Sequence, residues 1–120
     1  MCPTIVLDSE GRSEMVIGGA GGTKITTATA NNFVNKYLNQ WDLGKSVSSG
    51  RLHHQLDPMI LNWQELFDEQ ILAELKGFGH ILGEYSYGTS FSPALFYDYQ
   101  RGALEAKGDN RRSNNMPAGH

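Results

Sequence analysis

Met15-Val16-Ile17-Gly18-Gly19-Ala20-Gly21-Gly22-Thr23-Lys24-Ile25-Thr26-Thr27 is an apolar run that breaks into glycines and then resumes with helical spacing. It reads as a strand, a tight turn and a helix start. Between Gly18 and Gly22 only Ala20 carries a Cβ, so a ligand can approach the backbone closely and positive φ is open to the chain. The first amides of a helix lack intrahelical acceptors and sit at the positive end of the macrodipole. They can therefore stabilise a phosphate, a carboxylate or a developing alkoxide. Two readings of the loop stand at this point: an oxyanion-binding element, and a connection that only turns the chain.

Outward from the loop, Pro3 to Leu7 is a short β-branched apolar run, and Asp8-Ser9-Glu10-Gly11-Arg12 is a turn leading to the strand at Met15 to Ile17. Together they predict a hairpin. After Thr23, apolar residues fall at Ile25, Ala28, Ala30, Phe33, Val34, Tyr37, Leu38 and Trp41, which predicts a helix with one buried face. Phe33, Tyr37 and Trp41 are expected in the core. Asp42-Leu43-Gly44 is expected to end the helix, followed by a polar link through Ser46-Val47-Ser48-Ser49-Gly50 to a short strand at Arg51-Leu52-His53-His54-Gln55. A second helix is expected from an N-cap at Asp68 through Ile71, Leu72 and Leu75 to Gly77. Strands are expected at His80 to Glu84, Ala94 to Tyr99 and Ala103 to Ala106, with a loop-rich tail from Gly108. The order predicts a layered α/β (α+β) protein with mostly antiparallel strands.

Composition narrows the function. The chain has 120 residues, 39% of them hydrophobic, enough for one core and too few for two ordinary domains. Residues 1–120 therefore read as one domain or part of one. The net charge is −3, and the basic residues are scattered except for Arg101, Lys107, Arg111 and Arg112, so no basic stripe points to nucleic acid. Cys2 is the single cysteine, which excludes an internal disulfide and a multi-thiolate zinc site. Ile5-Val6-Leu7 ends at Asp8, short of the roughly 7–15 apolar residues of a signal peptide. No segment reaches the roughly 18 apolar residues of a membrane-spanning helix.

The chemistry of the loop is then a matter of elimination. A P-loop needs Gly-Lys-Ser/Thr in that order, whereas the order here is Gly22-Thr23-Lys24. A dinucleotide fingerprint counted from Gly19 places Lys24 where its last glycine should be. What remains is an oxyanion hole made by the adjacent amides of Gly21 and Gly22, facing the tetrahedral intermediate of acyl transfer.

Three blocks carry a resemblance to a known family. They are Met1-Cys2-Pro3-Thr4-Ile5-Val6, then Val16 to Thr27 through the glycine loop, then Arg51-Leu52-His53-His54-Gln55-Leu56-Asp57-Pro58. In order and spacing the chain resembles the C-terminal part of the small subunit of the gamma-glutamyltranspeptidases. Weaker agreement runs through Leu75-Lys76-Gly77-Phe78-Gly79-His80, Gly108-Asp109-Asn110-Arg111 and Pro117-Ala118-Gly119-His120. The resemblance implies part of an αββα N-terminal nucleophile hydrolase sandwich, from a precursor that cleaves itself to expose a catalytic threonine. It also implies cleavage of the gamma-glutamyl amide of glutathione and other gamma-glutamyl compounds, with transfer to water or to an amino acid or dipeptide acceptor.

Residue by residue, the resemblance assigns the oxyanion and substrate-binding glycines to Gly21 and Gly22. It implies no cofactor, no metal, no nucleophile within this chain, and the large subunit of the same precursor as partner. The family's substrate-binding serine pair would immediately precede Met1, so the chain is expected to be a fragment beginning at an internal methionine. Gly50 and Asn110 stand where the family usually has proline. The implied location is the outer face of the plasma membrane, or the periplasm in a bacterium. The alternative is a non-catalytic, light-chain-like interaction module, and an upstream Ser-Ser pair and threonine in the gene would decide for the enzyme.

The remaining candidates have plainer readings. His53 and His54 are adjacent and point apart in any regular element, with no third ligand at zinc spacing, so a hydrogen-bonded structural role is expected. Ser49, His53 and Asp57 could be written as a triad, but only geometry makes one. His80 is expected to begin a strand. Cys2 has no basic neighbour before Arg12 to lower its pKa. Asp109 with Arg111 and Arg112 is either a carboxylate-binding cluster or, as expected, a solvated tail or intersubunit ion pair.

Overall fold

The structure is a computed structural model describing residues 2–112. The closing Pro117-Ala118-Gly119-His120 block and Met1 lie outside the described residues. The hairpin forms as its turn chemistry requires. β1 (Thr4–Leu7) and β2 (Ser13–Ile17) pair antiparallel, with Ile5 opposite Val16 and an irregularity between Val6 and Leu7. The turn rests on Asp8, whose carboxylate accepts from the Glu10 and Arg12 amides, and on Gly11 at φ 78°.

α1 (Lys24–Tyr37) follows the glycine loop, then α2 (Leu43–Ser48), β3 (Leu52–His53) and β4 (Leu61–Trp63). α3 (Glu69–Gly77), β5 (Leu82–Glu84), β6 (Ala94–Asp98) and β7 (Ala103–Lys107) complete the order. A four-stranded antiparallel sheet runs β1-β2-β6-β7. A three-stranded sheet runs β3-β4-β5, in which β3 and β4 are antiparallel. β4 and β5 are joined through α3 and pair parallel, the exception to the expected antiparallel rule.

Three expectations need correction. α1 stops at Tyr37 rather than Trp41, and Gln40 at φ 55° then turns the chain. Asp42 starts a helix instead of ending one, because its carboxylate accepts from the Lys45 amide at 2.8 Å and caps α2. The expected polar link is therefore a helix whose Leu43 and Val47 pack with Met15, Ile17 and Ala94 as the main core. Finally, the buried residues of α1 are Ala28, Thr29 and Asn32, while Phe33 is 38% exposed and Tyr37 and Trp41 are half-buried. The predicted N-cap at Asp68 is present, accepting from the Gln70 and Ile71 amides.

The four-stranded sheet is apolar on both faces. Met15, Ile17 and Ala94 face the helices, while Ile5, Val16 and Leu95 form a cross-strand row on the other face, flanked by Leu7 and Leu104. Leu7 and Leu104 are 56% and 64% exposed. β1 is an edge strand, and beside it an apolar groove of about 360 Å³ is lined by Cys2, Thr4, Thr26, Thr29, Ala30 and Phe33. An open apolar face beside an edge that is unpaired among the described residues drives association. The 120-residue chain expressed alone should therefore self-associate and bind an apolar dye. A monodisperse monomer with a sharp cooperative thermal transition would contradict this.

Candidate oxyanion loop and its buried support

The loop leaves β2 and is held against the segment preceding β6. Ala20 and Phe91 exchange both backbone hydrogen bonds at 2.9 Å, extending the β2–β6 pairing by one bridge. The fit leaves no room for side chains. A Cβ on Gly19 would lie 2.8 Å from the Phe91 carbonyl oxygen, and one on Gly21 would lie 2.7 Å from Ser90 Cα. Gly21 and Gly22 adopt φ 138° and 60°, so glycine is required at Gly21 by both space and conformation, whereas at Gly22 there is open space and glycine is favoured only by the left-handed conformation.

Those dihedrals aim the amides. The Gly21 and Gly22 carbonyls accept from the Lys24 and Ile25 amides at 3.2 and 3.3 Å, so they point into α1. Within a trans peptide the N–H points opposite to the carbonyl, so the Gly22 N–H is directed out of the helix end. The Ala20 carbonyl is turned to Phe91, so the Gly21 N–H is directed away from it. Among the described residues neither N–H donates to a protein acceptor. Thr23 makes no side-chain cap and the first turn of α1 holds no acidic residue, so the positive helix end is not neutralised locally. Lys24 in the first turn of α1 has its Nζ 5.4 Å from the Tyr85 ring centroid, and Arg112 Cζ stands 4.8 Å from the ring centroid of Phe91.

Behind the loop lies a charge cluster that sequence reasoning placed on the surface. Asp109, expected in a solvated tail, is 0% exposed, with Arg51 at 1% and Arg111 at 7%. Asp109 Oδ2 accepts from Arg51 Nη2 and from the Ser92 amide, both at 2.7 Å. Oδ1 accepts from the Arg111 amide at 3.1 Å and from its Nη1 at 3.0 Å. Arg51 and Arg111 both donate to the Val47 carbonyl, and Arg111 also donates to the Ser49 carbonyl and to Gln64 Oε1. The two cations thus satisfy carbonyls at the end of α2, where the helix dipole is negative. Burial alone would raise the Asp109 carboxyl, but Arg51, the Ser92 amide and Arg111 outweigh it and hold it below its ordinary value. Burial and the neighbouring Arg111 push Arg51 down, with Asp109 acting in the opposite sense. Arg112 is exposed.

The other candidates do not assemble into a site. His53 is buried, with Nδ1 2.9 Å from Thr27 Oγ1 and Nε2 3.0 Å from Gln55 Oε1, the structural role expected of it. Gln55 Oε1 can only accept, so Nε2 donates to it. His54 Nδ1 accepts from the Leu56 amide instead, so the two rings diverge. Ser49 Oγ accepts from Asn35 Nδ2, Asp57 is exposed, and neither is bonded to His53. His80 is exposed and precedes β5 without belonging to it. Cys2 is a free, exposed thiol. Among the described residues no group of three or more His, Cys, Asp or Glu could hold a metal. No helix among them is long and apolar enough to cross a membrane.

Comparison with known proteins identifies the family. The Gamma-glutamyltranspeptidase family profile matches residues 1–118. The chain belongs to the gamma-glutamyltranspeptidase family. It is 36% identical over 110 residues to glutathione hydrolase proenzyme 1 of Schizosaccharomyces pombe, covering 92% of this chain and 17% of that protein. It is 30% identical over 114 residues to the glutathione hydrolase proenzyme of Pseudomonas aeruginosa, covering 92% of this chain and 20% of that protein. Among solved structures it superposes on the gamma-glutamyltranspeptidase of Pseudomonas nitroreducens complexed with L-DON with a TM-score of 0.81 at 28% identity. That match covers 99% of this chain and 62% of that one. A Helicobacter pylori gamma-glutamyltranspeptidase shares the fold, with a TM-score of 0.83 at 22% identity over 93% of this chain and 61% of that one. The layered α/β fold with mostly antiparallel strands is thus that of the family's N-terminal nucleophile hydrolase sandwich.

The lowered Asp109 carboxyl gives a pH signature. Below the unfolded carboxylate value of about 3.9 the unfolded state binds more protons than the native state. The stability Asp109 contributes is therefore complete above that value and is lost as pH falls through the lower native value. Urea midpoints of the folded protein across the acid range should fall with a shallower slope in Asp109→Asn than in the parent. Equal slopes would show that Asp109 is not ionised in the native state.

Proposed function

We propose that this chain works as part of a longer glutathione hydrolase and gamma-glutamyl transferase proenzyme, to which it contributes the oxyanion loop. The observation that carries the reading is the pair of undonated amides at Gly21 and Gly22, held at positive φ on an unneutralised helix end. A threonine supplied by another part of the proenzyme attacks the gamma-glutamyl carbonyl, and its own amine takes the hydroxyl proton. Negative charge then develops on the carbonyl oxygen. The Gly21 and Gly22 amides stabilise that charge as the tetrahedral adduct forms and as it collapses, when the C–N bond breaks and the threonine ammonium gives its proton to the leaving amine. Water, or the amine of an amino acid or dipeptide, next attacks the glutamyl ester and gives its proton to the threonine amine. The same amides serve the second adduct, whose collapse breaks the ester bond and returns the proton to the departing threonine hydroxyl.

Glutathione and related gamma-glutamyl compounds are the proposed donors, the large subunit of the same precursor is the proposed partner, and the steps require no cofactor. A second reading, a non-catalytic module that only docks to a partner, is favoured by the open apolar face around Ile5, Val16 and Leu95. The two diverge at the loop, because docking through the sheet does not need the amides.

Gly22→Pro in the full proenzyme removes one donor and cannot keep φ 60°, so kcat per mature site should drop on the order of 10²-fold or more with KM changing less. Gly22→Ala keeps the N–H and meets open space, so it should suffer only the strain of the left-handed region, about 1–2 kcal/mol. Thr23→Ala should be milder still, since the hydroxyl caps nothing. Self-cleavage is measured first for each variant. A matured proline variant with near-parental kcat would remove the oxyanion assignment. The 120-residue chain alone should hydrolyse a gamma-glutamyl anilide no faster than buffer, and turnover that survives purification would place a nucleophile within it.

A further inference from the structure

Ser90, Phe91 and Ser92 form a strap between the glycine loop and the buried charge cluster. On the loop side, Phe91 is paired with Ala20 in both directions, and Gly19 and Gly21 touch Phe91 and Ser90 with no space for a Cβ. On the opposite side the Ser92 amide donates to Asp109 Oδ2 at 2.7 Å. The Ser92 carbonyl and hydroxyl accept from Asn32 Nδ2 at 2.8 and 3.2 Å. Asn32 lies in α1, the helix whose first turn takes the Gly21 and Gly22 carbonyls. Loop, strap and helix therefore close a ring of hydrogen bonds through Ala20, Phe91, Ser92 and Asn32, with Ser90 packed against Gly21, and Asn32, Ser90 and Ser92 are all 0% exposed. Asp109 is the ring's external anchor, fixed by Arg51 and Arg111 to the carbonyls that end α2.

We propose that Asp109 is a positioning residue for the reaction: through Ser92 and Phe91 it sets where the Gly21 and Gly22 amides stand. The inference rests on the oxyanion reading above and adds to it the device that holds the loop in place. A close-packed contact transmits displacement instead of absorbing it, because no void takes up the motion. A shift of Ser92 therefore reaches Ala20 and Gly21 with little loss. Acyl transfer is sensitive on that scale, since a misplacement of about 1 Å can cost on the order of 10²-fold in rate.

The test uses the full, self-cleaved proenzyme, with active sites titrated by the burst of a gamma-glutamyl anilide so that kcat is expressed per competent site. Asp109→Asn removes the charge that anchors Ser92. Asn32→Ala loosens the strap from the helix side without touching an ion pair, and so decides the matter if Asp109→Asn does not mature. Each should lower kcat per site by about tenfold or more while KM moves by less than about threefold. Each should also weaken a boronic acid that mimics the tetrahedral adduct, by a factor that follows kcat/KM. Because both act through one strap, the double variant should lose less than the product of the two single effects.

A cluster that served stability alone would reduce only the number of titrated sites. Per-site kcat and boronate affinity within about twofold of the parent in Asn32→Ala, and in whatever Asp109→Asn matures, overturn the proposal. Gly22→Pro run beside them separates the two failures. If that variant keeps its kcat the oxyanion reading falls, whereas if it alone loses kcat only the positioning role falls.

Discussion

The structure is organised around a carboxylate removed from water between two guanidiniums. Asp109 at 0% exposure would be untenable without Arg51 and Arg111, and neither arginine could lie buried without it. Such a cluster is weak evidence for stability as a whole, because desolvating three charges offsets much of their attraction. Removing one member is a different matter, since it leaves an uncompensated charge and costs about 3–5 kcal/mol. What the cluster provides is a fixed geometry. It binds the end of α2, the residue before β3, the approach to β6 and the segment after β7 into one node. Gln64, bonded to Arg111 Nε, brings the segment after β4 into the same node.

Much of the fold was legible because short-range signals carried it. The Asp8-to-Arg12 turn, the Asp68 cap, the glycine break after Ile17 and the strand runs each rest on residues within a few positions of one another. The end of α1 was not legible. Leu38 and Trp41 continue the helical spacing, yet Leu38 is 71% exposed, and the left-handed turn at Gln40 is not signalled by glycine. Asp42 could be read as a stop or as a cap, and the burial of Leu43 and Val47 against the sheet decides for the cap.

The candidate site divides the same way. The tight turn at Gly21 and Gly22 could be read because positive φ and close backbone approach are written in consecutive glycines. The support could not, because Arg51 and Asp109 lie 58 positions apart and Asn32 and Ser92 lie 60 apart, beyond any periodicity. Asp109 with two nearby arginines looked like a solvated cluster, and only burial distinguishes that from a core node. In α1 the same logic reversed an apolar expectation. The buried positions of α1 are Ala28, Thr29 and Asn32, small or polar side chains, and Asn32 is the one that reaches the strap, through hydrogen bonds to Ser92 that no apolar side chain could make.

The signs of the buried charges also suit an oxyanion site. Asp109 alone behind the strap would oppose any negative charge developing in front of it. With Arg51 and Arg111 around it the node carries two cations to one anion, and against the burial that would raise it the Asp109 carboxyl is held below its ordinary value by Arg51, the Ser92 amide and Arg111. A single neutralising arginine would have satisfied the carboxylate. The second gives the support of the loop a net positive sign, the same sign as the open end of α1, so under the proposed role the anchor would hold the backbone amides without opposing the charge they stabilise.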